Sequence, residues 1–295
     1  MKDITKISTQ LVIAAVTVLL LSSLNSCTQK SQEKEIGIQL YSLRDAMGDT
    51  PKETIKQVGD IGYTFVEPAG YGDGKFYGME PAEFKKVVNN AGMDIISSHT
   101  GRPLPDSANW DETMEWWDQC IQAHKEVGAK YIVQPFMGEK AYNSLEGLQR
   151  YCEYFNAVGE KCNKAGIKFG YHNHDQEFTT QLEGNTVYDY MIQNTDPEKV
   201  FFQIDLYWAV EGGADPVSYF EEYPGRFNLW HVKDKAELGA SGMMDFEKYF
   251  QYADQSGMQY HIVEIEEYNF EPIVSVEKCY DFLMNADYVK ADYAD

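Results

Sequence analysis

The chain has 295 residues, with 47 acidic against 25 basic side chains and a formal net charge of −22. A nucleic-acid partner needs clustered Lys and Arg to neutralise phosphates, so that class is excluded and polyanionic substrates in general are disfavoured. Solubility accounts for most of the acidic side chains.

At the N-terminal end, Lys2 and Lys6 precede an apolar run at 11–21. The run is too short to span a bilayer comfortably and has the pattern of a signal-peptide core. Leu24-Asn25-Ser26-Cys27 follows, similar to the bacterial lipobox, in which the Cys is lipidated and becomes the mature N-terminus. The expectation is a lipoprotein signal peptide over 1–26 and a lipidated Cys27 opening a polar tether over 27–35. That makes the protein an exported bacterial lipoprotein, held to a membrane through Cys27, in the periplasm or at the cell surface. Residues 36–288 are then the right size for one α/β barrel, typically about 250 residues.

Short apolar runs alternate with amphipathic stretches along that region. Strands are predicted at 36–41, 64–67, 94–98, 131–135, 168–172, 200–205, 228–232 and 260–265. Helices are predicted at 51–61, 81–90, 110–127, 142–164, 186–194, 216–223, 246–255 and 272–284. Thr50-Pro51, Glu80-Pro81 and Asp215-Pro216 are helix starts, and Gly62, Gly92, Gly128, Gly166 and Gly257 close segments before the next strand. Eight alternating β and α units with nearly continuous apolar strands predict a parallel sheet closed into a single-domain (β/α)8 TIM barrel. A doubly wound sheet is the alternative, but it would carry fewer repeats and often a Gly-rich phosphate turn. Gly70-Tyr71-Gly72-Asp73-Gly74 lacks the spacing of a dinucleotide fingerprint and is expected to be a flexible rim loop. Cys120, Cys152, Cys162 and Cys279 fall in predicted helices at no zinc spacing and are expected to be buried thiols.

Four polar clusters sit near predicted strand ends: His172-Asn173-His174, Asp205, His231 and Glu264. They recur at roughly 30 residues, the length of one βα unit. Barrel active sites lie at the C-terminal strand ends, and alternation selects the side chains that face inward. His172 shares parity with His174, His231 with Lys233, and Glu264 with Glu266. A mixed oxygen and nitrogen set of this kind suits a divalent metal (Mn, Zn, Co or Mg) with positions left for substrate. Such an ion polarises a carbonyl or hydroxyl oxygen and stabilises an enediolate, and a base must take the adjacent proton. Glu67, His99, Glu177 and Lys233 are the candidates for that base. His172 is either the fourth ligand or a substrate contact. His174, Glu266, Trp208 and Tyr41 are candidate substrate contacts, with Phe136 and Phe76 as further aromatic wall. His124 and His261 are expected to be packing residues.

The segments GIQLYSLRD, FVEPAGY, SSHTG, GYHNHDQEF, FQIDLYW, WHVKDK and HIVEIEE together resemble the xylose isomerase-like TIM-barrel superfamily, in particular its sugar phosphate isomerase/epimerase group. The resemblance covers about residues 36–285. It implies one divalent metal held by Glu, Asp, His and Glu from strands five to eight. Asp205, His231 and Glu264 match the last three, and His172 stands at the first. It also implies that Glu264 can serve both as ligand and as acid/base. The superfamily's endonuclease branch needs a His three residues after the strand-six Asp, where Trp208 stands here. The expected activity is that of a metal-dependent isomerase or epimerase acting on a non-phosphorylated carbohydrate or keto-sugar. A lyase resembling an inosose dehydratase, or acting on a 3-keto-glycoside, is the alternative. A non-catalytic sugar-binding lipoprotein is the alternative of another class.

Overall fold

A computed structural model describes residues 34–294; the expected signal segment and Cys27 lie outside the described residues. Among the described residues no helix is long and apolar enough to cross a membrane. Eight strands form the central sheet: β1 Gly37–Gln39, β2 Phe65–Glu67, β3 Asp94–Ile95, β4 Tyr131–Gln134, β5 Lys168–His172, β6 Val200–Asp205, β7 Leu229–Val232 and β8 Tyr260–Val263. All neighbours are parallel, in the order β3-β2-β1-β8-β7-β6-β5-β4. The two ends of that order meet. His99 bridges Val133 in the parallel sense, the Val133 N–H donates to the Ser98 carbonyl, and the Thr100 N–H donates to the Val133 carbonyl, both at 2.9 Å. The predicted (β/α)8 barrel is therefore the observed fold.

The boundaries differ from expectation where side chains bond their own backbone. The first strand ends at Gln39 because its Oε1 accepts from the Tyr41 N–H, turning the chain into a 3-10 segment at Leu40–Leu43. The third strand is short because the chain changes partner there. Ile96 donates weakly to Val66 on one side, while its carbonyl accepts from Tyr131 on the other. The helix predicted at 142–164 is two helices, Lys140–Asn143 and Leu145–Lys164, divided by Ser144, whose Oγ caps Gly147 N at 3.1 Å. The stretch 246–255 likewise divides into Phe246–Phe250 and Ala253–Ser256.

The glycine-rich run after β2 is a hairpin rather than a loose loop. Tyr71–Gly72 pairs antiparallel with Lys75–Phe76. Asp73 and Gly74 both take positive φ (51° and 78°), the Asp-Gly turn that matches strand twist. The Tyr71 ring packs against Phe76, Trp116 and His124, which fixes the hairpin to the helix Trp110–Val127. His124 is buried there, its Nδ1 bonded to the Cys120 carbonyl at 2.7 Å, as a packing residue should be. The four cysteines are free and buried.

Most of the core lies between strands and helices. A smaller apolar cluster fills the N-terminal end of the barrel, where Phe65, Tyr131, Phe201 and Tyr260 meet edge to face at centroid separations of 5.3 to 6.0 Å. Gly37 and Gly170 make room for it, since a Cβ at either would overlap the ring of Phe65 or Phe201. Above this plug the interior turns polar.

Candidate metal centre

The polar layer is built around Glu67, at the end of β2 and fully buried. Its Oε1 accepts from Gln39 Nε2 at 2.8 Å and His231 Nε2 at 2.7 Å, while His99 Nε2, bonded to Gln203 Oε1 at 2.6 Å, lies 3.1 Å from it. Its Oε2 accepts from Gln203 Nε2 at 2.9 Å and from the Ser97 hydroxyl. Burial pushes this carboxyl up, but the two imidazoles and the hydrogen bonds overcome it and bring it down to about 2. A carboxylate bonded to the far side of an imidazole fixes the ring and its tautomer. His231 thereby turns Nδ1 toward β6 and β8.

Four donors converge on that side. His231 Nδ1 lies 3.1 Å from His172 Nε2, 3.3 Å from Glu264 Oε2 and 3.8 Å from Asp205 Oδ2, and His172 Nε2 lies 3.5 Å from Asp205 Oδ2. Asp205 is the N-cap of the short helix Leu206–Glu211. Its Oδ1 accepts from Trp208 N at 2.8 Å, which leaves Oδ2 buried with no hydrogen-bond partner. Asn173 locks the backbone of Asp205 from both sides, accepting from its N–H and donating to its carbonyl. Donors on a tetrahedral ion with bonds near 2.1 Å stand about 3.4 Å apart. The four separations straddle that value, and the orphaned Asp205 oxygen faces the common point, so these residues fit a divalent cation.

The protonation states agree with a site that exchanges protons for an ion. Burial lowers His231, but Glu264 and Glu67 lift it to about 10. Burial raises Asp205; Lys233 opposes this and Glu264 adds to it, the result being about 7. Burial together with the neighbouring imidazoles of His231 and His99 pushes His172 well down, leaving it neutral with a lone pair to give. Metal uptake at pH 7 is thus expected to release roughly one to two protons, from His231 and in part from Asp205. Calorimetry in buffers of different ionisation enthalpy counts them; release of none would mean that His231 does not bind the ion through Nδ1.

A cavity of about 390 Å³ opens over this cluster. Of the expected residues, His99, His172, His174, Glu264, Glu266 and Tyr41 line it, as does Phe136. Lys233 lies just below, its ammonium 3.1 Å from Glu264 Oε2, closely bonded to Glu266 and 5.0 Å from the Trp208 ring centroid. Burial lowers Lys233, but Glu264, Asp205 and Glu266 push it well up and keep it cationic. Trp208 is therefore behind the wall, packed on Lys233 and His174. Phe76 belongs to the hairpin core. Glu177 does not line the cavity. It accepts from the Tyr142 and Tyr171 hydroxyls at 2.5 Å each and from the His174 N–H at 2.8 Å, so it holds the loop that carries His174. His261 is buried on the opposite face of β8 against Phe250 and Tyr293. Gln39, Ser97 and Gln203 were not expected in the site. Gln203 shares parity with Asp205, which was the available signal.

An eight-stranded parallel barrel with this cluster on its C-terminal rim defines a class, and residues 55–285 match the model of the xylose isomerase-like TIM barrel family, to which the chain belongs. A solved sugar phosphate isomerase/epimerase from Parabacteroides distasonis ATCC 8503 is 34% identical, with a TM-score of 0.81, over 87% of this chain and 100% of the other. An inosose dehydratase of Geobacillus kaustophilus is 23% identical over 204 residues, 64% of this chain and 64% of that relative's length. An L-ribulose 3-epimerase structure shares the fold at 14% identity, with a TM-score of 0.67 over 85% of this chain and 93% of the other.

Proposed function

We propose that the protein is a metal-dependent isomerase or epimerase that removes and returns a proton beside the carbonyl of a non-phosphorylated keto-sugar. The convergence of His172, Asp205, His231 and Glu264 beneath an open cavity carries this reading. A bound divalent ion would polarise the substrate carbonyl and stabilise the resulting enediolate. Burial raises Glu264, but Lys233 and His231 hold it well below the usual carboxylate range, so it is ionised and ready to accept a proton. Lys233 stays cationic and steadies the negative charge that accumulates as the proton leaves. His99 lines the same cavity, and burial lowers it toward the neutral form, which makes it the second group able to exchange a proton. The solved isomerase/epimerase at 34% identity supports the assignment.

The cavity lining carries the carboxylates of Glu264 and Glu266 and neither Arg nor Lys, which opposes a phosphorylated substrate. Export as a lipoprotein through Cys27 would place the enzyme among unphosphorylated carbohydrates. The test is incubation with keto-hexoses in D₂O after loading with Mn, Co, Zn or Mg. Solvent deuterium in the recovered sugar is expected, and its loss in Asp205→Ala along with the metal. Metal-independent sugar binding with no exchange under any condition would replace this reading with that of a binding protein.

A lyase is the second reading, and His172 favours it. With an imidazole where the superfamily resemblance implies a carboxylate, Glu264 is the one carboxylate base facing the cation point from β5 or β8. Elimination needs one base to take a proton while a group leaves the adjacent carbon. The inosose dehydratase relative points the same way. Mass spectrometry of the same incubations, extended to a 3-keto-glycoside, separates the two, because elimination releases water or an aglycone and epimerisation releases nothing.

A further inference from the structure

The cavity is larger than one sugar ring requires. A hexose has twelve heavy atoms, which at the packing density of organic matter occupy roughly half of the volume available. Two aromatic rings of the cavity lining stand in water. Tyr41 is 44% exposed and Phe136 is 41% exposed, and both line the cavity.

Neither ring is loose. The Arg44 guanidinium sits 5.1 Å from the Tyr41 ring centroid and is itself anchored by hydrogen bonds to Tyr268 Oη at 2.8 Å and the Glu266 carbonyl at 3.2 Å. The loop after β1 is thereby tied to the loop after β8, and Tyr41 is braced from one side. Phe136 is held through its backbone, its carbonyl accepting from Gln134 Nε2 at 2.9 Å. Large apolar rings are normally withdrawn from solvent. Two that are positioned by polar contacts and left open over one cavity have the form of a stacking platform. The two rings are exposed whereas the cation cluster is buried, so a bound molecule that extends beyond a single ring can engage both.

We propose that Tyr41 and Phe136 form a second-ring subsite, and that the substrate is a glycoside whose reacting sugar sits over the cation cluster while its second pyranose or aryl ring stacks at the mouth. The inference rests on the keto-sugar reading for the inner ring and adds the substituent that the inner ring carries. Apolar ring faces match the aromatic side chains, and the acidic lining below accommodates hydroxyl groups as hydrogen-bond donors.

The test is titration calorimetry on the full chain with methyl β-glucoside, phenyl β-glucoside and cellobiose, in the parent, Tyr41→Ala, Phe136→Ala and Tyr41→Phe. The two-ring ligands are expected to bind about tenfold more tightly than the methyl glycoside, as burial of one half-exposed ring predicts. That advantage should shrink to less than about threefold in each alanine variant and persist in Tyr41→Phe. Equal affinity for one-ring and two-ring ligands in the parent, absence of binding by any of them, or an advantage that survives both alanine substitutions overturns the subsite. Deuterium exchange on free keto-hexoses is a separate readout. Its failure with the two-ring preference intact would remove the proposed reaction and leave the subsite standing.

Discussion

Glu264→Gln is expected to slow deuterium exchange on a keto-sugar by about 10² to 10⁴, the range that general-base groups contribute. The substitution keeps the shape of the side chain and an oxygen for the ion while removing the proton acceptor. Glu264 sits where the roles meet, 3.3 Å from His231 Nδ1, 3.1 Å from Lys233 Nζ and on the cavity wall. Metal content must be measured in parallel, because weaker ion binding would also slow the reaction. The diagnostic result is a large rate loss that persists when the ion is supplied to saturation. A rate within a few-fold of the parent under saturation would transfer the base to His99, the other proton-exchanging group on the wall.

Glu67→Gln is expected to destabilise the metal-free protein by about 3–5 kcal/mol, as breaking a buried ion pair does. Both Glu67 oxygens accept, from Gln39, His231, Gln203 and Ser97, and His99 Nε2 lies 3.1 Å away. An amide in its place turns a donor toward other donors and removes the charge that His231 faces. The same change should weaken metal binding about 10- to 100-fold, since it frees the imidazole that Glu67 orients. The stability loss has a defined pH dependence. The folded carboxyl lies at about 2, below its ordinary 4.5. Its contribution is therefore fully present above about pH 4.5 and is lost as the pH falls toward 2. Urea unfolding of parent and variant should differ most at neutral pH and converge below pH 4.5. His231 is lifted to about 10 by Glu264 first and Glu67 second, and the Glu67 share is the same pairing seen from the other partner and is counted once. A gap that stays constant across this range would mean that packing, rather than charge, is what the glutamate provides.

The eight strands were legible because each is a short apolar run spaced by a helix, and the four converging residues because each lies at the inward end of a strand. Gln39 and Gln203 escaped notice for a physical reason. An amide within an apolar strand has no charge and no titration to advertise it, and only parity with Asp205 marks Gln203 as inward. The hairpins at 71–76 and 181–186 have two residues per strand, too few for periodicity, and their turn dipeptides Asp73-Gly74 and Glu183-Gly184 carry the whole signal. Ser144 breaks a continuous helical pattern because a hydroxyl that caps one helix also ends the segment before it. Glu177 looked like a free carboxylate beside a strand that carries candidate site residues. Its partner Tyr142 is 35 residues away in the chain, so only the fold reveals that it is occupied with holding His174.

The aromatic plug of Phe65, Tyr131, Phe201 and Tyr260 bears on turnover as well as on packing. It closes the N-terminal end of the barrel, and the polar layer around Glu67 fills the space above it, so among the described residues the cavity over the cluster is blocked from below. In the proposed reaction, reactant would enter and product depart on the side where Tyr41 and Phe136 are exposed. If the proposed reaction holds, product still bound there would exclude the next reactant, so competitive product inhibition would follow and removal of product by a downstream step would help to set the flux.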